Sequence, residues 1–180
     1  MAIKSKDKIY FDTDCLSSFL WTDSMHILIS LYGNRVVVPT RVEQELKNIE
    51  HLHEKLRALI NRGLVKTETF AIGTNEFKIY GLLRTGNNQH PRIDDGEAAV
   101  IALAKCNDAT MASNNLRDIK YYIDYYKLNN ITTADILFEA WQNNVIIKAE
   151  AEELWQRMRR KRRRFPYDTF EEWVNKTKAI

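Results

Sequence analysis

Residues 8–14, Lys-Ile-Tyr-Phe-Asp-Thr-Asp (KIYFDTD), decide how the chain reads. Three large apolar or aromatic residues run without a polar break and stop on an acid. Such a run suits a strand buried on both faces, which is the habit of parallel sheets between helices. Further short β-rich runs follow at Arg35–Val38 (RVVV), Ala109–Ser113 (ATMAS) and Asn130–Thr132. Long helical patterns separate them, at about 15–32, 40–62, 75–86, 95–106, 115–127 and 133–143. Residues 64–72 (LVKTETFAI) fit either a strand or an irregular crossing. The alternation predicts an α/β protein: a three-layer α/β/α sandwich around a central, mainly parallel sheet. Two more helices are expected beyond it, at about 148–164 and 168–177, separated at Pro166 and with Asp168 or Thr169 as cap for the second.

A chain of 180 residues is expected to form one domain with a core large enough to fold unaided. Hydrophobic residues make up 44%, which excludes a disordered chain. No apolar run reaches transmembrane length, and no signal-peptide core precedes the first strand, so a cytoplasmic protein with no membrane partner is expected. Cys15 and Cys106 lack zinc-site or disulfide spacing and read as buried thiols. The net charge of +3 is uneven: residues 151–180 hold nine Lys/Arg against five Asp/Glu, while the other 150 hold eighteen against nineteen. The excess is concentrated in Arg159, Arg160, Lys161, Arg162, Arg163 and Arg164, six consecutive basic residues. A run this dense repels itself without an anionic partner, which points to nucleic acid, although a solvated helix end or an acidic protein would also suit it.

In open α/β sheets functional groups collect beyond the carboxyl ends of the strands. Asp12 ends the first strand. Glu45 follows the second, four residues before Ile49 and three after Val42, on the apolar stripe of its helix, while Glu43 points away. Asp94, Asp95 and Glu97 open the helix 95–106. Ser113, Asn115 and Asp118 follow the third strand, Asn115 pointing nearer the core than Asp118. Each has an ordinary use: Asp12 as a turn or cap, Asp14 as a cap, Glu45 in a salt bridge, Asp94 and Asp95 as cap and first-turn acids, Glu97 and Asp118 as favourable charges at helix N-termini. Together they crowd one sheet edge. Crowded carboxylates repel, and a divalent cation is the usual resolution. An all-oxygen set suits Mg²⁺ or Mn²⁺ rather than zinc. The four histidines form no metal motif.

These segments (IYFDTDCLSSFL, VVVPTRVEQEL, DDGEAAVIALA and ATMASNNLRDI), in this order and spacing, resemble the PIN-domain nucleases and within them are similar to VapC-type toxin ribonucleases. The resemblance spans residues 9 to about 140. It implies a PIN-like nuclease domain over 1–146. Beyond it, Ala151, Leu154, Trp155 and Met158 fall on one helix face, so 147–180 is expected to be a helical extension that carries the basic run and packs on the same domain. The resemblance places Asp12, Glu45, Glu97 and Asp118 on the family's catalytic, metal-binding acids, with Asp94, Ser113 and Asn115 as polar support. Ser113 stands where Thr is more usual, and Ile119 where Phe is. The implied reaction is Mg²⁺- or Mn²⁺-dependent hydrolysis of RNA, leaving 5′-phosphate and 3′-hydroxyl ends. DNA stays open as a substrate, and an antitoxin protein and a homodimer stay open as partners. A catalytically silent nucleic-acid-binding module on the same fold is the alternative. A haloacid-dehalogenase-type phosphotransferase, suggested by Asp12-Thr13-Asp14, fits less well, because Cys15-Leu16 stands where its Thr belongs.

Overall fold

The computed structural model describes residues 7–87, 91–161 and 165–178. Five parallel strands form one sheet: β1 (Ile9–Phe11), β2 (Val36–Pro39), β3 (Lys66–Glu68), β4 (Thr110–Ala112) and β5 (Asn129–Ile131), in the order β3-β2-β1-β4-β5. The segment at 64–72 is thus settled as the edge strand β3, in register with β2 through Val37 and Lys66. β1, β2 and β4 are buried along their whole length, as their unbroken apolar runs require.

Between the strands lie α1 (Thr13–Trp21), α2 (Met25–Tyr32), α3 (Thr40–Leu46), α4 (Glu50–Asn61), α5 (Asn75–Thr85), α6 (Asp95–Cys106), α7 (Leu116–Tyr126) and α8 (Thr133–Gln142). Two expected long helices are each broken in two. The stretch 15–32 turns at Thr22–Ser24, where Asp23 adopts φ 55°. The stretch 40–62 breaks after Leu46, and Ile49 has the extended ψ of 80°. The chain then adds α9 (Lys148–Arg160) and α10 (Phe170–Thr177), capped by Thr169. Arg162, Arg163 and Arg164 lie outside the described residues. α9 buries Ala151, Leu154, Trp155 and Met158, and Arg157 donates to the Thr22 carbonyl at 2.7 Å, which fixes α9 across the end of α1. Among the described residues no helix is long and apolar enough to cross a membrane.

From β1 the chain steps outward to β2 and β3, then returns to add β4 and β5 on the other side. Right-handed crossovers then put the two runs of helices on opposite faces. α6 lies against β1, β2 and β4 on one face, and its Ala-rich surface (Ala98, Ala99, Ala102, Ala104, all buried) allows close approach. α2 and α8 pack together on the other. The strand order reverses between β1 and β4, so a crevice opens beyond the carboxyl ends of these two strands.

Candidate active site

Asp12 sits at that crevice. Its own N–H donates to the Ala112 carbonyl at 3.0 Å, which ties the end of β1 to the end of β4. The backbone then turns straight into α1 with Asp12 as N-cap, its Oδ1 accepting Cys15 N–H at 2.7 Å. Capping therefore falls to Asp12, not to Asp14 as expected, because the helix starts two residues earlier than its apolar pattern. Asp12 is only 2% exposed, and its second oxygen, Oδ2, is buried with no hydrogen-bond partner. Burial pushes the carboxyl up from 3.8 to about 7. The Ser113 hydroxyl and Cys15 N–H oppose that rise, and the charges of Asp14 and Glu97 add to it. Ser113 is fully buried and also accepts Asn115 N–H at 3.2 Å.

Glu45 reaches the same crevice from α3. Because the helix ends at Leu46, no continuous stripe runs from Val42 to Ile49, and Glu45 is half-buried at a rim rather than under a packed face. Its Oε2 accepts the Thr13 hydroxyl, and its Oε1 accepts Gly96 N–H at 2.6 Å. Glu43, also half-buried, lies 3.6 Å from His53 Nε2. Asp94 is the N-cap of α6 and Asp95 is in its first turn, as expected, but the Asp94 side chain makes no capping hydrogen bond. Glu45 satisfies that helix end instead.

Glu97, half-buried in the first turn of α6, accepts Asn115 Nδ2 at 2.6 Å. Burial raises its carboxyl above the usual range. Asn115 counters this, while Asp94, Asp118 and Glu45 raise it further. Asn115 Nδ2 also donates to Asp118 at 2.8 Å, so one amide bridges two acids. Asp118 itself is exposed.

Asp12, Asp14, Glu45, Asp94, Asp95 and Glu97 line one pocket of about 360 Å³, with Thr13 and, among the described residues, a single cation, Arg84. Asp118 stands outside that lining and is joined to it through Asn115. Arg84 and Asp14 are additions from the structure. Arg84, on α5, donates to the Ile93 carbonyl at 2.6 Å, and its Nε lies 3.7 Å from Asp95 Oδ1. Asp95 also accepts the Tyr80 hydroxyl and lies 3.9 Å from Arg41. Cys15 is buried and its thiol is pushed well up by that burial, so it stays protonated and is no nucleophile. Cys106, expected to be buried, is exposed at the end of α6.

A family model described as a PIN domain matches residues 8–179. The chain belongs to the PIN-domain family. PIN domains are generally nucleases that use divalent metals. No curated protein matches this PIN domain. Among its described residues, no three His, Cys, Asp or Glu side chains stand ready to hold a metal ion. Glu45 is engaged by Thr13 and Gly96, and Asp118 is held at the rim by Asn115. The donor chemistry nevertheless fits a hard cation: the acids offer oxygen only, and Asp12 Oδ2 is a buried oxygen lacking a partner.

Proposed function

We propose that this PIN domain is a Mg²⁺- or Mn²⁺-dependent endoribonuclease whose metal is held by Asp12, Glu45 and Glu97, with Asp118 completing the set through Asn115. The observation that carries this reading is Asp12 Oδ2. A carboxylate oxygen buried without a donor is costly, and five further carboxylates around the same pocket make it costlier. A divalent cation removes both penalties. When bound, it neutralises charge at the scissile phosphate and makes water more acidic.

The chain's own groups then have distinct tasks. Thr13 and Gly96 orient Glu45, and Asn115 orients Glu97. Arg84, pinned by Ile93 and Asp95, presents to a phosphate oxygen the only cationic side chain that lines the pocket among the described residues. Arg160 and Lys161 are exposed at the end of α9 and suit contact with the RNA backbone, as do Arg162, Arg163 and Arg164 by sequence. Arg159 is committed to Asp168 at 2.6 Å. The similarity to VapC-type toxins supports a toxin role restrained by an antitoxin.

The second reading, a silent nucleic-acid-binding module, draws on the structural duties of the acids: Asp12 caps α1 and Glu45 closes α6. One assay separates the two. Labelled single-stranded RNA and DNA are incubated with Mn²⁺, Mg²⁺ or EDTA, beside Asp12→Asn. We expect RNA cleavage with metal only and none by the variant. Binding without cleavage in all metal conditions overturns the nuclease, and preferential cleavage of DNA overturns the ribonuclease.

A further inference from the structure

A second, larger pocket of about 500 Å³ opens beside the acidic one. The two share a wall. Asn114, at the end of β4, lines the larger pocket and donates through Nδ2 to Asp14 Oδ2 at 3.3 Å, and Asp14 lines the acidic pocket. Asn114 is locked in place by Thr133, whose N–H it accepts at 2.8 Å and whose hydroxyl accepts its amide at 2.9 Å.

The chemistry of the two pockets is opposite. Leu116, Phe165, Pro166 and Trp173 make up much of the larger one. Its acid, Asp135, is neutralised: it accepts the Thr132 N–H and hydroxyl at 3.0 and 2.6 Å and pairs with Lys178 at 2.6 Å. A phosphate gains little there. A flat, uncharged, aromatic group gains stacking. Phe165 is half-exposed and rests on Trp155 with ring centroids 4.0 Å apart, so its ring is held rigid. The exposed cations Arg160 and Lys161 precede Phe165 in the chain.

We infer that this pocket seats a nucleobase of single-stranded RNA next to the phosphate that enters the acidic pocket, with Phe165 as the stacking platform. The inference rests on the RNA reading of the acidic pocket. A strand whose phosphate enters that pocket has a neighbouring base within reach of the shared Asp14–Asn114 wall. Base stacking on a side chain is tolerant of sequence, which suits a pocket whose polar groups are already paired with one another.

The test is direct binding with Ca²⁺ in place of Mn²⁺, by fluorescence anisotropy, of labelled hexa-adenylate and of the matching abasic ribose-phosphate hexamer. Ca²⁺ takes oxygen ligands and offsets the carboxylate charge that otherwise repels the phosphate. Wild type, Phe165→Leu and Leu116→Ser are compared. Phe165→Leu keeps apolar volume on Trp155, and Leu116 is 43% exposed, so the second variant reports on the pocket with little risk to folding. Wild type is expected to prefer the base-bearing hexamer. Phe165→Leu should weaken that hexamer about 5- to 150-fold and leave the abasic one unchanged. Leu116→Ser should act in the same direction, more weakly. Equal loss on both hexamers, or no loss in either variant, overturns the base site and leaves a protein segment as the pocket's occupant. Failure of wild type to bind either hexamer also overturns it. Cleavage of RNA by that same protein with Mn²⁺ would then leave the nuclease reading standing.

Discussion

Glu45 Oε1 accepts the backbone N–H of Gly96 at 2.6 Å, so a carboxylate from α3 closes the first turn of α6. The contact depends on glycine. A Cβ at position 96 would lie 2.6 Å from Glu45 Oε2 and 2.9 Å from its Cδ. Two segments more than fifty residues apart are thereby joined at the point where the acids converge.

Gly96→Ala should therefore destabilise. Alanine gains about 0.5–1 kcal/mol of helix preference over glycine. Displacing Glu45 costs a charge-assisted hydrogen bond, about 1.5–3 kcal/mol. The net expectation is a loss of about 1–2 kcal/mol in urea unfolding. In a Glu45→Ala background the clash is gone, and Gly96→Ala should turn stabilising. The same sign in both backgrounds would show that Glu45 does not set the cost.

The burial of Asp12 makes a pH prediction for the metal-free protein. Its folded carboxyl titrates at about 7, above its ordinary 3.8. The folded state thus holds the proton better than the unfolded chain. That contribution to stability is fully present below about 4 and is lost as pH rises toward 7. Asp12→Asn keeps an oxygen for Cys15 N–H, since Asn also caps well. Wild-type melting temperature in EDTA should fall relative to Asp12→Asn across this window. Parallel pH profiles would place the buried charge elsewhere.

Much of the fold was legible because the signals are local. The apolar runs at Ile9–Phe11 and Val36–Val38 read as buried strands and form β1 and most of β2, and the helix 95–106 has the predicted bounds. The two helix breaks differ in kind. Thr22-Asp23-Ser24 is a turn composition that the long apolar pattern on either side obscured. The break after Leu46 leaves no such mark, because Val42, Leu46, Ile49 and Leu52 keep helical spacing across it. Asp12 and Glu97 were readable from their places at a strand end and a helix start. Arg84 was not, since the one acid of α5, Glu76, lies at the other end of that helix, and only the packing of α5 on α6 brings the guanidinium to the pocket. The glycine in Asp94-Asp95-Gly96-Glu97 was a usable sign of close approach.

Arg84 should matter for catalysis rather than for folding. Arg84→Gln is expected to lower kcat by about 10²-fold or more, the scale of losing one oriented donor to a charged transition state. Arg84→Lys should recover little, since one ammonium cannot hold the Ile93 carbonyl and face the pocket as the guanidinium does. Single-turnover cleavage assays check this. A change in KM alone would make Arg84 a binding residue only.

The basic stretch should divide in two. Replacing Arg160 and Lys161 by Gln should flatten the salt dependence of RNA binding, by about 0.7 in the log–log slope for each lost phosphate contact. Arg159→Gln should leave the slope nearly unchanged, because Arg159 is paired with Asp168. A slope that responds to Arg159 alone would reverse these roles.

The most direct measurement of the proposed metal site is calorimetric melting of wild type and Asp12→Asn, each in EDTA and across a Mn²⁺ titration. Binding to the folded site alone should stabilise wild type by about 2.7 kcal/mol at a hundredfold excess over the dissociation constant. Asp12→Asn should lose most of that response. If Mn²⁺ shifts both proteins equally, or neither, and Asp12→Asn melts below wild type in EDTA, Asp12 is a helix cap and the acidic pocket is not a metal site.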